Sequence, residues 1–151
     1  GFQTRLKWGD QKKIIQMIPG LENAEIVRYG VMHRNTFLKS PLILNRHFQT
    51  KNREALFFAG QISGVEGYVE SAASGLYAAL NMVQYLEGKP LLELSAETVM
   101  GSMAQYVASA NPNHFQPMNA NFGIVANRLK DREAMAVRSV EHIEKLLESI
   151  S

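Results

Sequence analysis

The stretch from Ala55 to Leu80, ALFFAGQISGVEGYVESAASGLYAAL, constrains the fold of this chain more than any other. Five apolar residues, Ala55 to Ala59, lead into a loop carrying Gly60, Gly64 and Gly67, and then into a helix rich in alanine, serine and glycine. An apolar run of that length bounded by turn residues predicts a strand buried on both faces, as in a parallel or mixed α/β sheet. The helix behind it is unusual for a core helix, which fills space with Leu, Ile and Phe. Ala72, Ala73, Gly75, Ala78 and Ala79 would let its backbone lie close to a neighbour, while Leu76, Leu80 and Val83 supply an apolar stripe. Strand, glycine turn and helix start together form the arrangement at which α/β folds hold ligands. The first N–H groups of the helix lack intrahelical acceptors, and its dipole adds partial positive charge there. The glycine spacing is not Gly-x-Gly-x-x-Gly followed by an acid ~20 residues on, so these residues do not predict a pyrophosphate site. They fit a second contact to a cofactor held mainly elsewhere; a tightly packed structural helix would give the same pattern.

The rest of the chain is organised around this unit. Asp10 to Met17 reads as a short helix capped by Asp10 and stopped by Pro19-Gly20. Glu25 to Met32 is β-rich, and Leu42 to Leu44 with His47 to Thr50 read as short strands around a tight turn at Asn45-Arg46. The central helix, Val69 to Leu86, is ended by Gly88 and Pro90. Ser95 is placed to cap a further helix to about Ser109, with Val99, Met103 and Val107 at four-residue steps, before Asn111-Pro112. Asn113 to Gly123 lacks periodicity and reads as a loop. Ala126 to Ile150 reads as a long helix with a narrow apolar stripe of Leu129, Ala136, Val140, Ile143, Leu147 and Ile150.

Composition excludes some chemistry. The chain of 151 residues suits one domain, and 16 basic against 14 acidic residues do not by themselves announce a nucleic-acid partner. Cysteine is absent, which excludes disulfides, thiolate metal sites and a cysteine nucleophile within the chain, and is compatible with a cytosolic origin. His33, His47, His114 and His142 share no metal-ligand spacing, so no metal site is predicted. No window approaches ~18 consecutive apolar residues. The chain begins with Gly1 rather than methionine and is expected to be part of a longer protein.

The segment LFFAGQISGVEGYVESAASGLYAALN resembles the C-terminal flavin-contacting segment of two-domain FAD oxidoreductases. Together with MIPGLENAEIVRYGVMHRNTF and PMNANFGI, in that order, it is similar to the folate- and FAD-dependent tRNA uridine-5-methyltransferases, the TrmFO family, from about Trp8 to the final helix. The resemblance implies an α/β fold, the C-terminal part of a Rossmann-like FAD-binding flavoprotein of the glutathione-reductase type, with a mostly helical C-terminal half. Residues 1–54 would then be the end of an inserted substrate-side region with return strands, 55–90 the flavin-contacting strand, turn and helix, and 91–151 a C-terminal helical region. It further implies an enzyme that forms 5-methyluridine in the tRNA T-loop, using methylenetetrahydrofolate, FAD and NAD(P)H, in the cytoplasm and without a membrane partner. Uracil C5 is a poor nucleophile and is usually activated by a thiolate at C6. That thiol would have to lie outside this chain, so the chain alone is expected to be inactive and to bind FAD weakly. Two rivals remain: the related flavoproteins that install carboxymethylaminomethyl groups at the wobble uridine, marked by a longer helical C-terminal extension, and a non-catalytic tRNA-docking module.

By the same resemblance, Gly60 and Gln61 stand where the wider flavin family has Gly and Asp, the Asp binding ribityl hydroxyls. Gly67, Tyr68 and Val69 would present backbone N–H groups to the flavin pyrimidine edge, stabilising charge on reduced flavin. Glu70 fits a helix-start residue favoured by the dipole as well as it fits a ligand contact. His33, Arg34 and Asn35 are candidates for stacking on and hydrogen-bonding a pterin, or are surface residues. Asn119 and Asn121 have the donors and acceptors for a pterin or uracil edge, though loop asparagines commonly bond their own backbone. Arg128, Lys130, Arg132 and Arg138 could face phosphates, but the glutamates among them favour a solvated face.

Overall fold

The computed structural model describes residues 6–30 and 35–148, divided into one unit ending at Asn35 and a second beginning at Thr36. In the first unit, α1 spans Trp8–Gln16. It starts earlier than predicted: Lys7 stands at its N-cap without a side-chain bond, and Asp10 lies inside the first turn, where the dipole favours an acid. The helix stops ahead of Pro19-Gly20, and Gly20 adopts a φ of 86°. The strand predicted from Glu25 does not form as far as Gly30, and Met32 lies outside the described residues. A physical reason is visible at Gly30, whose N–H and C=O are both taken by the buried Gln11 side chain, each at 2.9 Å. Gln11 thus satisfies the backbone groups that a partner strand would otherwise pair. Trp8 stacks on Tyr29 with ring centroids 5.6 Å apart.

The second unit opens with α2, Ser40–Ile43, a single turn with Pro41 near its start. The first predicted strand of the hairpin is therefore mostly helical. What survives is an antiparallel bridge between Leu44 and Thr50, closed by Asn45, whose Oδ1 accepts the N–H groups of His47 (2.9 Å) and Gln49 (3.2 Å). A second bridge joins Gln49 to Phe57. The predicted strand Ala55 to Ala59 is reduced to that bridge, and its residues are exposed or half-buried rather than covered on both faces. Helices and a few short strands make up the observed α/β fold. Among the described residues the one sheet is a two-residue parallel pair, β1 (Val65–Glu66) with β2 (Met118–Asn119), in the register Val65 to Met118 and Glu66 to Asn119.

The core is built from Leu44, Phe48, Val65, Tyr77, Ala78, Leu92, Met103, Ala104 and Val107. Helix α3 (Tyr68–Leu86) buries Ser74, Tyr77, Ala78 and Asn81. Asn81 Oδ1 accepts the Leu92 N–H at 2.8 Å, its Nδ2 donates to Tyr77 O at 3.1 Å, and the Tyr77 hydroxyl donates to Leu92 O at 2.7 Å. The predicted stripe of Leu76, Leu80 and Val83 points to solvent instead, with Leu76 64% exposed. Helix α4 (Val99–Ser109) is capped by Thr98 rather than Ser95, its Oγ1 accepting the Gly101 N–H at 2.9 Å. Ser95 serves one turn earlier, its carbonyl accepting from the Thr98 N–H and hydroxyl. Met103 and Val107 are fully buried, as their spacing predicts.

Helix α5 spans Arg132–Glu148 rather than starting at Ala126; Asn127, with a φ of 47°, interrupts the backbone before it. The buried side of α5 is set by Met135, and the predicted apolar face of Val140, Ile143 and Leu147 is exposed, with Ile150 outside the described residues. Polar fastening accounts for this rotation. Glu97 accepts from Asn127, lies 3.0 Å from His142 Nε2 and 3.5 Å from Arg138 Nε, and Arg138 also donates to the carbonyls of Asn127 (2.9 Å) and Ala126 (3.2 Å). The Asn127 and His142 hydrogen bonds hold the Glu97 carboxyl below its ordinary range.

His47 supplies a pH prediction. Its ring is nearly buried beside Tyr77, and both ring nitrogens lack a hydrogen bond; Glu93 Oε1, 3.5 Å away, is an ion-pair neighbour only. Burial pushes its pKa below the ordinary value near 6.5, against the opposing pull of Glu93. The unfolded chain therefore takes up this proton first. Stability from a neutral His47 is complete above that ordinary value and declines as pH falls through it, with a slope of at most about 1.4 kcal/mol per pH unit. Urea unfolding of the chain between pH 7.5 and 5 should show this slope, and His47→Gln should flatten it; an identical slope in the variant would refute the assignment.

Candidate functional site

The three glycines of the opening stretch each adopt positive φ: 69° at Gly60, 92° at Gly64 and 98° at Gly67. Gly60 begins a 3-10 turn, Gly60–Ser63, which lies back on α3. Its N–H donates to Ser74 Oγ at 2.8 Å, and Ser71 Oγ donates to Val65 O at 3.2 Å. A Cβ at Gly60 would stand 3.5 Å from that of Ser71, an ordinary contact. The small residues on the buried face of α3 are thus answered by the glycine loop itself. The Gly60 N–H is already engaged within the protein.

Gly64 turns the chain into β1. A Cβ there would enter the Phe115 ring, while its carbonyl accepts the Met118 N–H at 3.0 Å. The parallel pairing of β1 with β2 continues this seam and carries the Asn119–Asn121 loop to the start of α3. Gly67, with ψ of 144°, occupies backbone space that side-chain-bearing residues avoid, and stands at the N-cap of α3 with no side chain capping it. The first-turn N–H groups of Tyr68, Val69 and Glu70 therefore have neither an intrahelical acceptor nor a cap. Tyr68 is 98% exposed and Val69 79%. This end of the helix is exposed, with the Glu70 carboxylate lying over Gly67.

The two asparagines divide their roles. Asn121 Oδ1 accepts the Gly123 N–H at 2.9 Å and caps the 3-10 turn Phe122–Ile124, while its Nδ2 meets Met118 Sδ at 3.2 Å and Asn119 O at 3.4 Å. The side chain of Asn119 is exposed and makes no hydrogen bond among the described residues. Gln61 is also exposed, its amide makes no hydrogen bond among the described residues, and its carbonyl accepts the Gly64 N–H at 3.0 Å. Gly60, Gln61, Gly67, Tyr68, Val69, Asn119 and Asn121 thus belong to one region of the second unit. Asn35 is an exposed residue of the first unit, and His33 and Arg34 lie outside the described residues. Among the basic residues, Arg138 is turned inward onto Glu97, Arg132 lies 5.7 Å from the Phe122 ring centroid, and Arg128 and Lys130 are exposed. No group of three or more possible metal ligands occurs among the described residues, and no helix among them is long and apolar enough to cross a membrane.

Sequence reasoning missed the link between Glu70 and the asparagine loop. Glu70 Oε1 accepts the Ala120 N–H at 3.3 Å, 50 residues away along the chain. Its carboxylate occupies the space in which a Gly67 Cβ would stand. The one signal for it was an acid three residues after a glycine at a helix start.

A glycine turn leading into an uncapped helix start, on a helical frame with short strands, places the chain among α/β proteins. A family model described as Glucose inhibited division protein A matches residues 1–90. The chain belongs to that family. Within it, the chain groups with the TrmFO proteins. It is 58% identical to the methylenetetrahydrofolate–tRNA-(uracil-5-)-methyltransferase TrmFO of Brevibacillus brevis, over 95% of this chain and 35% of that protein. It is 54% identical to the protein of the same name from Bacillus subtilis, over 99% of this chain and 36% of that protein. The chain therefore spans about a third of the length of these relatives. A crystal structure of Aquifex aeolicus GidA shares the fold, with a TM-score of 0.50 and 22% identity, over 96% of this chain and 24% of that one.

Proposed function

We propose that this chain forms one wall of the flavin site in a methylenetetrahydrofolate- and FAD-dependent tRNA uridine-5-methyltransferase. The intact protein would convert a T-loop uridine of tRNA to 5-methyluridine, with NAD(P)H as reductant. The observation that supports this reading is the uncapped start of α3 behind Gly67, where exposed first-turn N–H groups carry no side-chain cap and the Glu70 carboxylate, drawn aside onto Ala120, lies over Gly67. Such a helix start fits the carbonyl-bearing edge of an isoalloxazine. Bound FAD would supply the redox chemistry of the one-carbon transfer. The residues of this chain would bind and orient it: the N–H groups of Tyr68 and Val69 hydrogen-bond the ring edge, and their fixed dipoles favour negative charge there. The exposed Gln61 amide would take the part of the acid that binds the ribityl hydroxyls in the wider flavin family. The Gly60 N–H, engaged by Ser74, contributes turn geometry rather than a ligand bond. With no cysteine in the chain, the thiolate that activates uracil comes from outside it.

The full-length protein should form 5-methyluridine in an unmodified tRNA transcript when given methylenetetrahydrofolate, FAD and NADPH, read by nucleoside mass spectrometry. Product dependent on all three supports the proposal, and no product in the complete mixture overturns it. The family model also fits a second reading, the wobble-uridine carboxymethylaminomethyl chemistry of related flavoproteins, while the names of the relatives favour the first. The modified position in the tRNA separates the two.

A further inference from the structure

Glu70 has an ordinary explanation: it stands in the first turn of α3, where the helix dipole favours an acid whatever it touches. The geometry asks for more than that. Its carboxylate folds back over Gly67 and accepts the N–H of Ala120, the residue that follows β2. The path exists because residue 67 has no Cβ. The Ala120 N–H lies just past the last paired residue of β2, so Glu70 satisfies a donor that the short sheet leaves over. Asn119 is then held from both sides. Ahead of it, the Met118 N–H is fixed on Gly64 O at 3.0 Å; behind it, the Ala120 N–H is fixed on Glu70. Asn121 is committed to capping its own turn, which leaves Asn119 as the loop amide with donors and an acceptor free.

We propose that Glu70 is a positioning residue, a latch that holds the 118–121 loop against the start of α3. In that position Asn119 presents its amide to the heterocyclic ligand bound there. This inference rests on the reading of the site as a flavin and folate site. The ligand class is a flat ring with alternating donors and acceptors, a pterin or a pyrimidine. Glu70 touches neither ring; it acts through Asn119. Glutamine at position 70 keeps a carbonyl oxygen on the same stem and should preserve most of the latch, whereas alanine removes the acceptor.

The test uses the full-length protein and its Glu70→Ala, Glu70→Gln and Asn119→Ala variants. Two readouts are needed: amide hydrogen exchange, and KM for methylenetetrahydrofolate and for tRNA alongside kcat. Glu70→Ala should raise exchange at Ala120 about tenfold while amides from Ser74 to Leu86 keep their protection, which shows the helix intact. The same variant should raise one of the two KM values about tenfold with a smaller change in kcat. Asn119→Ala should raise the same KM, and Glu70→Gln should recover most of both effects. Unchanged exchange at Ala120 overturns the latch. Raised exchange with both KM values unchanged overturns the positioning role and leaves a structural bond only. Failure of the underlying reading looks different: wild-type protein that binds no FAD, with the exchange response at Ala120 still present.

Discussion

Replacing Gly64 with alanine is expected to destabilise the chain by about 3 kcal/mol. Two penalties act together. A side chain at φ of 92° is strained, at about 1–3 kcal/mol, and the new Cβ would enter the Phe115 ring, where overpacking costs a further ~1–3 kcal/mol. Phe115 is itself buried, packed on Phe37 and Tyr106 at centroid distances of 6.1 and 5.4 Å, so it has little room to retreat. Urea denaturation of Gly64→Ala in wild-type and Phe115→Leu backgrounds separates the two penalties. The steric part should shrink in the Phe115→Leu background and the backbone part should persist. A loss below about 0.5 kcal/mol in the wild-type background would show that the turn does not need glycine.

Gly67→Val in the full-length protein should weaken FAD binding by about 10–100-fold, the loss expected when one or two hydrogen bonds to a charged or polar ring edge are misplaced. The reason is again double, but the weights differ. The backbone at φ of 98° and ψ of 144° excludes a β-branched residue without a shift of the helix start. The steric obstacle is the end of a flexible side chain, the Glu70 carboxylate, which can swing aside and in doing so gives up Ala120. Gly60→Ala is the control for backbone strain alone: it too stands at positive φ, 69°, but its Cβ would meet only Ser71 at ordinary distance, and its N–H already serves Ser74. Fluorescence titration of FAD that finds Gly67→Val within twofold of wild type would remove the α3 start from the cofactor site.

Local signals in the sequence read well where the cause is local. Pro19-Gly20 stops α1, Gly88 ends α3, and Met103 with Val107 lies in the core, because turn chemistry and a four-residue period depend on neighbours along the chain. The sheet is smaller than the sequence predicts. Ala55 to Ala59 has the composition of a doubly buried strand, yet a strand needs partners, and composition does not say whether they are present. The apolar stripes of α3 and α5 show a related limit. Periodicity marks a face suited to burial; it does not say which element covers it, and on α5 the polar grip of Glu97 on Arg138 and His142 turns the opposite face inward. At the candidate site the glycine turn and helix start were legible, and the asparagine loop was legible as a second patch. Their union through β1 and β2 was not, since a two-residue pairing leaves no period to detect. Nor could sequence distinguish Asn119 from Asn121, because an asparagine that caps a turn and one that faces solvent look alike until the turn is seen.

The pairing of β1 with β2 also orders events in time. Glu70 and Ala120 are 50 residues apart, and most of α3 and all of α4 lie between them. Closing so long a loop for two residue pairs and one side-chain bond gains little until the helices have already shortened the gap by packing on each other. The seam that gathers the candidate site should therefore form late in folding, after the helical core. By the same reasoning it should open at a lower free energy than the core does, so this corner can loosen and reclose while the remainder of the unit stays folded.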